Sequence, residues 1–475
     1  MATFNTYKTL RLTRICVSVA VCVAIFFAVA FGYDLWLTRW QIVPACLAGV
    51  FAWIVGWIVV TAVCGRVYCS TVCPMGTTMD VFGRLGHLKK GYFFSPSRFR
   101  VRRSITIISV AAFLVGIPAM LNLIDPAAAF SRVASWAVTP AFRPVAFSAG
   151  AALTAYATLA IVAAVAFARG RLLCNTLCPV GAVLAEISRY SVYHIDINTD
   201  KCIGCGLCTE KCKSECIDPN SHTVDPARCV VCFDCTAACP NAAISYRRGR
   251  HRLAMPMMET AGSSRLMDRR DFLAAVMGGI PAMALASETM NPDLEPLNPV
   301  HPPGLHSSTD LRLRCTGCGQ CSAACPTGII RPVESLGSLR TPLRPVLEFD
   351  SGCCLYDCTA CTQVCPTGAL SRLSVSEKHR FVIGKARIVP AFCIEFNTGE
   401  GCGECARRCP KRAITINPVE EPVASPGHAA DIPEKTALGK IRRLPRVDVD
   451  ECIGCGTCRY VCPARPRAFV IEGEQ

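Results

Sequence analysis

Six times along this chain, four cysteines recur at nearly the same spacing. Two copies read C-x2-C-x2-C-x3-C: Cys202, Cys205, Cys208, Cys212 and Cys452, Cys455, Cys458, Cys462. The others are Cys229, Cys232, Cys235, Cys239; Cys315, Cys318, Cys321, Cys325; Cys354, Cys358, Cys361, Cys365; and Cys393, Cys402, Cys405, Cys409. Five of the six end in Cys-Pro, at Pro240, Pro326, Pro366, Pro410 and Pro463. Thiolates at this spacing suit cubane iron-sulfur clusters. Three wrap one cluster from a single loop, and the fourth, on the following helix, reaches the neighbouring cluster. Six runs therefore predict six [4Fe-4S] clusters in three pairs. Zinc knuckles or a disulfide framework are the competing chemistries. Zinc sites use two separated cysteine pairs, not a third cysteine followed by Cys-Pro.

A second motif occurs twice. One copy is Cys64-Gly-Arg66-Val-Tyr-Cys69-Ser-Thr-Val-Cys73-Pro74-Met-Gly76, the other Cys174-Asn-Thr-Leu-Cys178-Pro179-Val-Gly181. Their shared core, C-x3-C-P-x-G, indicates an internal duplication. With Arg66, Arg84 and Arg171 beside them, these thiols could hold a redox centre or line a quinone headgroup site. The bland alternative is a helix-end turn with packing thiols. Asp80 and His87 lie nearby and could accept protons from a quinol; both are also ordinary loop residues. Cys16, Cys22 and Cys46 read as packing residues, and Cys216 and Cys353 as spare thiols beside clusters.

Other chemistries find little support. No cysteine pair is followed by His in a C-x-x-C-H haem attachment, and the eight histidines lie outside the apolar spans. Neither a phosphate-binding G-x-x-x-x-G-K-[ST] nor a G-x-G-x-x-G after a strand is present. No haem and no nucleotide are expected. The formal charge of +15 gathers at the ends of apolar segments and is no sign of nucleic-acid binding.

The elements that must position these residues begin with four apolar stretches, near Ile15 to Tyr33, Gln41 to Val63, Ile105 to Ile124 and Val145 to Ala168. Each approaches the roughly 20 residues that cross a bilayer, and the mean hydropathy of the chain is +0.35. Lys8, Arg11 and Arg14 precede the first, and Arg66, Arg84, Lys89, Lys90, Arg98, Arg100, Arg102 and Arg103 follow the second. The other connecting loops carry only Arg39, and Arg132 with Arg143. Cytoplasmic loops carry the excess of positive charge. The two termini of this unit, the paired motif and the run pair Cys202 to Cys239 are thus expected in the cytoplasm.

Further on, Asp268-Arg269-Arg270-Asp271-Phe272-Leu273 leads into a weakly apolar run from Ala274 to Ala286, which resembles a Tat export signal. An amphipathic linker helix is the alternative. Export here would carry everything after about Ser287 outside. A proline-rich spacer follows, with Pro292, Pro296, Pro299, Pro302 and Pro303. The last four runs then form small β-α-β units held largely by their clusters. Which run pairs with which stays open: first with fourth and second with third, or sequentially.

Taken together, residues from about Lys8 to Arg248 resemble NapH, a four-span protein with two Cys-x3-Cys-Pro motifs and a cytoplasmic two-cluster tail. Residues from about Met267 to Phe469 resemble NapG, the Tat-exported protein with four cubane clusters; MauM and MauN share the patterns. The resemblance implies a fused quinol dehydrogenase. It implies an α-helical membrane domain, four spans plus one signal or anchor helix, with α+β bacterial-ferredoxin-like [4Fe-4S] domains. Expected boundaries are 1–190, 191–246 (cytoplasmic, two clusters), 247–287 (linker and signal), 288–310 (spacer) and 311–475 (periplasmic, four clusters). The implied setting is the bacterial inner (cytoplasmic) membrane. The implied partners are quinol and a periplasmic c-type cytochrome or molybdoenzyme reductase such as periplasmic nitrate reductase. Assembly or redox regulation of a metalloenzyme, as in NosR-like and CcoG-like proteins, is the alternative. Departures from the family pattern are the x8 gap from Cys393 to Cys402, Lys213 in place of proline after Cys212, and Asp268 before the twin arginines.

Overall fold

The computed structural model describes residues 2–87, 91–96, 101–105, 107, 125–138, 149–249, 299–307, 311, 313–333, 343–399, 401–418 and 443–473. Most of the third expected span, the twin-arginine segment and most of the proline-rich spacer lie outside the described residues.

The first helix, α1 (Ala2–Phe31), is one unbroken element of 30 residues, about 45 Å long at 1.5 Å per residue. Among the described residues, two helices are long and apolar enough to cross a membrane: α1 over Thr6–Phe31, and Ala149–Arg169. Only 33% and 28% of their most apolar stretches are buried. The stretch expected to form a single second span, Gln41 to Val63, is instead divided into helices Ile42–Leu47 and Phe51–Cys64. The division falls at Gly49, whose φ of +78° ends the helix. The longest piece has 14 residues, about 21 Å, short of the roughly 30 Å hydrocarbon core.

Two short helix pairs follow the long helices in parallel fashion: Tyr68–Thr71 with Pro74–Gly86, and Leu172–Thr176 with Pro179–Ser188. In both, proline opens the second helix, where its missing N–H is no loss. The Pro74–Gly86 helix packs against Ala149–Arg169. A side chain at Gly86 would meet the Phe167 carbonyl at 2.1 Å, so only glycine admits this approach.

The first ferredoxin-like module pairs β1 (Tyr193–Ile197) with β4 (Ile244–Arg248), antiparallel from Tyr193 opposite Arg248 to Ile197 opposite Ile244. The short strands β2 (Ile217–Asp218) and β3 (Thr223–Val224) form a second pair. Ile195, Ile197, Ile217, Val224 and Ile244 make its core, with the cysteines around them. The C-terminal domain repeats this plan with β5 (Ile330–Pro332) on β6 (Pro345–Leu347), β7 (Lys385–Ile388) on β10 (Phe469–Glu472), and β8 (Ile414–Pro418) on β9 (Arg443–Val447). Its core mixes Ile329, Ile330, Phe349, Phe396 and Phe469 with Cys361, Cys393, Cys405, Cys452 and Cys458.

Both modules rest on α1, at opposite ends. Near the N-terminus, Tyr7 Oη accepts from the backbone N–H of Tyr246 at 3.1 Å and stacks on Phe233, and Arg11 pairs with Asp234 at 2.7 Å. Past its C-terminus, a side chain at Gly32 would meet Ala324 Cα at 2.6 Å. There Arg372 pairs with Asp34 at 2.5 Å, and Arg39 donates to the Gln363 carbonyl. The Val133–Val138 π-helix completes the second seat: Ser135 Oγ donates to the Cys318 carbonyl at 3.3 Å.

Candidate metal centres

In five of the six runs, the residues on either side of the second cysteine adopt left-handed backbone. They are Gly204 and Gly206, Val231 and Phe233, Gly317 and Gly319, Gly401 and Gly403, and Gly454 and Gly456, with φ between +51° and +78°. Alternating right- and left-handed residues turn successive N–H groups inward and form a nest for an anion. A thiolate-bound cluster with net negative charge fits such a nest. Val231 and Phe233 hold this conformation without being glycine, which costs about 1–2 kcal/mol each. The long gap after Cys393 is filled by the helix Ile394–Thr398. Cys402 keeps glycines in left-handed backbone on both sides, so the insertion displaces the first cysteine without altering the nest. The run at Cys354 is the exception: its first gap is three residues, Leu355-Tyr356-Asp357, and no left-handed residue lies within it.

The pairing left open by the sequence is sequential. Burial, and then Cys354, Cys325 and Cys358, raise the Cys361 thiol. Burial, and then Cys318, Cys315, Cys365 and Cys361, raise that of Cys321. The fourth cysteines therefore cross over: Cys325 could complete the set Cys354, Cys358, Cys361, and Cys365 the set Cys315, Cys318, Cys321. Likewise Cys393 neighbours Cys462 and Cys402, and Cys409 neighbours Cys455. In the first module Cys212 stands with Cys229, Cys232 and Cys235. The short helices behind the runs pack in the same three couples: Leu207–Glu210 on Asp234–Ala238, Gln320–Ala324 on Ala360–Gln363, and Glu404–Arg408 on Thr457–Tyr460.

Of the spare thiols, Cys216 lies 3.5 Å from Cys212, and Cys353 stands near Cys455. None of the 34 cysteines is joined in a disulfide. Among the described residues, no three His, Cys, Asp or Glu converge closely enough to hold a single ion.

The duplicated motif forms one buried cluster of thiols. All four cysteines of the two C-x3-C pairs pack in one core, and burial, and then Cys174, Cys69 and Cys178, raise the Cys73 thiol. The two arginines are exchanged between the copies. Arg66 Nη2 donates to the Cys174 carbonyl at 3.2 Å, and Arg171 Nη1 donates to the Cys69 carbonyl at 2.6 Å. Gly76 and Gly181 leave room for this: a Cβ there would meet the Cys69 oxygen at 2.5 Å and the Cys174 oxygen at 2.1 Å. Both guanidiniums are essentially inaccessible, at 0% and 1% exposure, whereas Arg84 is exposed. The repeat is thus longer than its cysteine core. It reads G-R-x2-C-x3-C-P-x-G, from Gly65 and from Gly170, and makes Arg66 and Arg171 equivalent. Cys64 stands with the first ferredoxin module, its carbonyl accepting from Tyr246 Oη at 2.9 Å.

Asp80 is the hub of a buried ion network. It accepts from Arg171 Nε at 2.6 Å and from Lys213, with Arg14 at 3.6 Å; Lys213 also reaches Asp234 at 3.5 Å. Burial alone would raise the Asp80 carboxyl, but Arg171 and Lys213 outweigh it and hold it well below the usual carboxylate range. That environment opposes the proton-accepting role expected of Asp80. Lys213, the departure after Cys212, is the link from this hub to the first module. His87 stacks on Tyr92 with ring centres 4.0 Å apart, its Nδ1 3.0 Å from the Gly83 carbonyl.

The family described as 4Fe-4S binding domain matches residues 47–92 and 151–192, the segments carrying the two C-x3-C-P motifs, and a second model of that description matches 195–218. The 4Fe-4S dicluster domain matches 314–369 and 400–465, the same sequential couples. A further dicluster match, 228–330, joins two runs that the structure places in separate modules. Among curated proteins, the ferredoxin-type protein NapG of Escherichia coli is 30% identical over 229 residues, covering 47% of this chain and 86% of NapG. The methylamine utilization ferredoxin-type protein MauM of Methylobacillus flagellatus is 30% identical over 195 residues, 40% of this chain and 73% of MauM. The putative electron transport protein YccM of Escherichia coli is 27% identical over 203 residues, 42% of this chain and 56% of YccM. No solved structure matches the chain.

Proposed function

The chain belongs to the ferredoxin-type NapG and MauM family, and we propose that it oxidises membrane quinol and delivers the electrons to a periplasmic reductase system. It is an iron-sulfur electron-transfer protein with several 4Fe-4S domains. The finer reading is a NapH-like membrane part fused to a NapG-like part, in the bacterial inner membrane. The first ferredoxin module is then cytoplasmic and the C-terminal four-cluster domain periplasmic. A c-type cytochrome or a molybdoenzyme such as periplasmic nitrate reductase would be the acceptor.

One observation carries this reading: the two ferredoxin modules seat on α1 at Arg11 and at Gly32, about 32 Å apart along an apolar helix, close to the roughly 30 Å hydrocarbon core. Along α1, Val17, Val19, Val23 and Phe27 are exposed, as are Leu153, Ile161 and Phe167 on the Ala149–Arg169 helix. Apolar side chains turned outward on long helices suit lipid. A quinol gives up two electrons and two protons, and clusters of this type accept single electrons, which separates the two.

The test uses the whole chain, purified without oxygen in detergent and mixed with a reduced quinol. Reduction of the clusters, read by absorbance and EPR, is the expected result. Clusters that stay oxidised at quinol potentials would overturn quinol as the donor.

A further inference from the structure

We propose that Cys69, Cys73, Cys174 and Cys178 together ligate one further iron-sulfur cluster, seated between the two ferredoxin modules. Its position rests on the electron-transfer reading; its ligands rest on geometry alone.

Each C-x3-C pair supplies two thiols from a buried turn, and the duplication places the two turns face to face. Four thiols in one pocket meet the ligand requirement of a cubane. Charge points the same way. Arg66 is fully buried, and its hydrogen bonds go to an amide, two carbonyls and a thiol rather than to a carboxylate. Its Nη1 donates to Asn175 Oδ1 at 2.8 Å and to the Ala227 carbonyl at 3.0 Å. Its Nε has no partner, while its Nη2 lies 3.8 Å from Cys69 Sγ. A buried guanidinium without an anion is costly. A thiolate-ligated cluster with net negative charge supplies that anion. Arg171 brings a second positive group to the same thiols, already shared with Asp80.

The pocket also has neighbours on both sides. Cys232 of the first module packs into the same core as Cys69, Cys73, Cys174 and Cys178. On the other side, Pro74, next to Cys73, shares a small cavity with Thr316, Cys318 and Gln320 of the C-terminal domain. That gap has a volume of about 10 Å³, close to the size of one water. When loaded, the site would supply a one-electron station between the two sets of clusters, with no bond made or broken. It stands in the helical domain, where none of the six ferredoxin-type runs lies.

Iron and acid-labile sulfide are counted per chain on the anaerobically purified full-length protein. The expected content is about 28 iron atoms, at four per cluster, against about 24 if only the six runs are filled. The double variant Cys73→Ala, Cys178→Ala should lose about four iron atoms and one component of the EPR redox titration, with the others unchanged. Cys64→Ala should keep the full count. A wild-type count near 24 overturns the proposal whether or not the double variant folds. One zinc or copper per chain with no added iron would overturn it as well. Neither count depends on quinol, so failure here leaves the proposed donor standing, and failure with quinol leaves this site standing.

Discussion

The backbone N–H of Cys354 donates to the carbonyl of Cys455 at 2.9 Å, joining the two couples of the C-terminal domain. With the crossover of fourth cysteines, this contact orders the four thiol sets in a line. The set of Cys315 comes first, against the helical domain. Those of Cys354 and Cys452 follow, and that of Cys393 lies at the far end.

Crossover pairing makes a spectroscopic prediction. Cys325→Ser should remove the same EPR component as Cys354→Ser, and Cys365→Ser the same component as Cys321→Ser. If each fourth cysteine instead shared its signal with its own run, the crossover would be wrong.

Glycines in the nests should differ sharply in tolerance. At Gly204 nothing lies within 4 Å of an added Cβ, so Gly204→Ala should cost only the left-handed strain, about 1–2 kcal/mol. At Gly454 the Cβ would meet the Gly384 backbone oxygen at 2.2 Å, and backbone cannot step aside. Gly454→Ala should lose about four iron atoms per chain, while Gly204→Ala keeps them. Equal iron contents in the two variants would contradict this account.

Asp80→Asn leaves Arg171 and Lys213 buried with one negative charge fewer. Removing one partner of such a group costs about 3–5 kcal/mol, measurable as a lowered melting temperature in detergent. The pH dependence has a definite sign. Because the folded carboxyl is held below its unfolded value of about 3.9, its contribution is fully present above that pH. It is lost as pH falls toward the folded value. The gap between wild type and variant should be constant at neutral pH and narrow in acid. A gap that instead grew on acidification would rule out an ionised Asp80.

Export by the twin-arginine segment predicts the side on which the C-terminus lies. A reporter fused after Gln475 should be active only in the periplasm. Arg269→Lys with Arg270→Lys should abolish that activity. Activity in the cytoplasm would place the C-terminal domain on the wrong side for the proposed function.

The cysteine runs were legible because cluster ligation is local: three ligands and the turn between them lie within seven residues, as from Cys202 to Cys208. The same left-handed backbone recurs around the second cysteine, even where Val231 and Phe233 replace glycine. What the sequence hid depends on contacts far apart along the chain. Arg66 and Arg171 exchange partners across more than a hundred residues, and neither run at Cys315 nor run at Cys354 says which neighbour its last cysteine will join. The division of the second expected span was hidden for a different reason. Its hydropathy is continuous, but a single left-handed glycine, Gly49, divides the helix without changing the apolar character. Asp80 was visible as a candidate, but its role as an ion-pair hub was not, because its pairing with Lys213 spans 133 positions.

The seating of both modules on α1 also fixes a mechanical relationship. A stiff rod gripped at both ends transmits displacement rather than absorbing it. A change of tilt, or a slip along the axis, would strain Arg11 against Asp234 and Gly32 against Ala324 together. The spacing between the two modules is therefore a property of one helix's length, and inserting or deleting a turn within Ile15–Phe27 would alter it by about 5.4 Å.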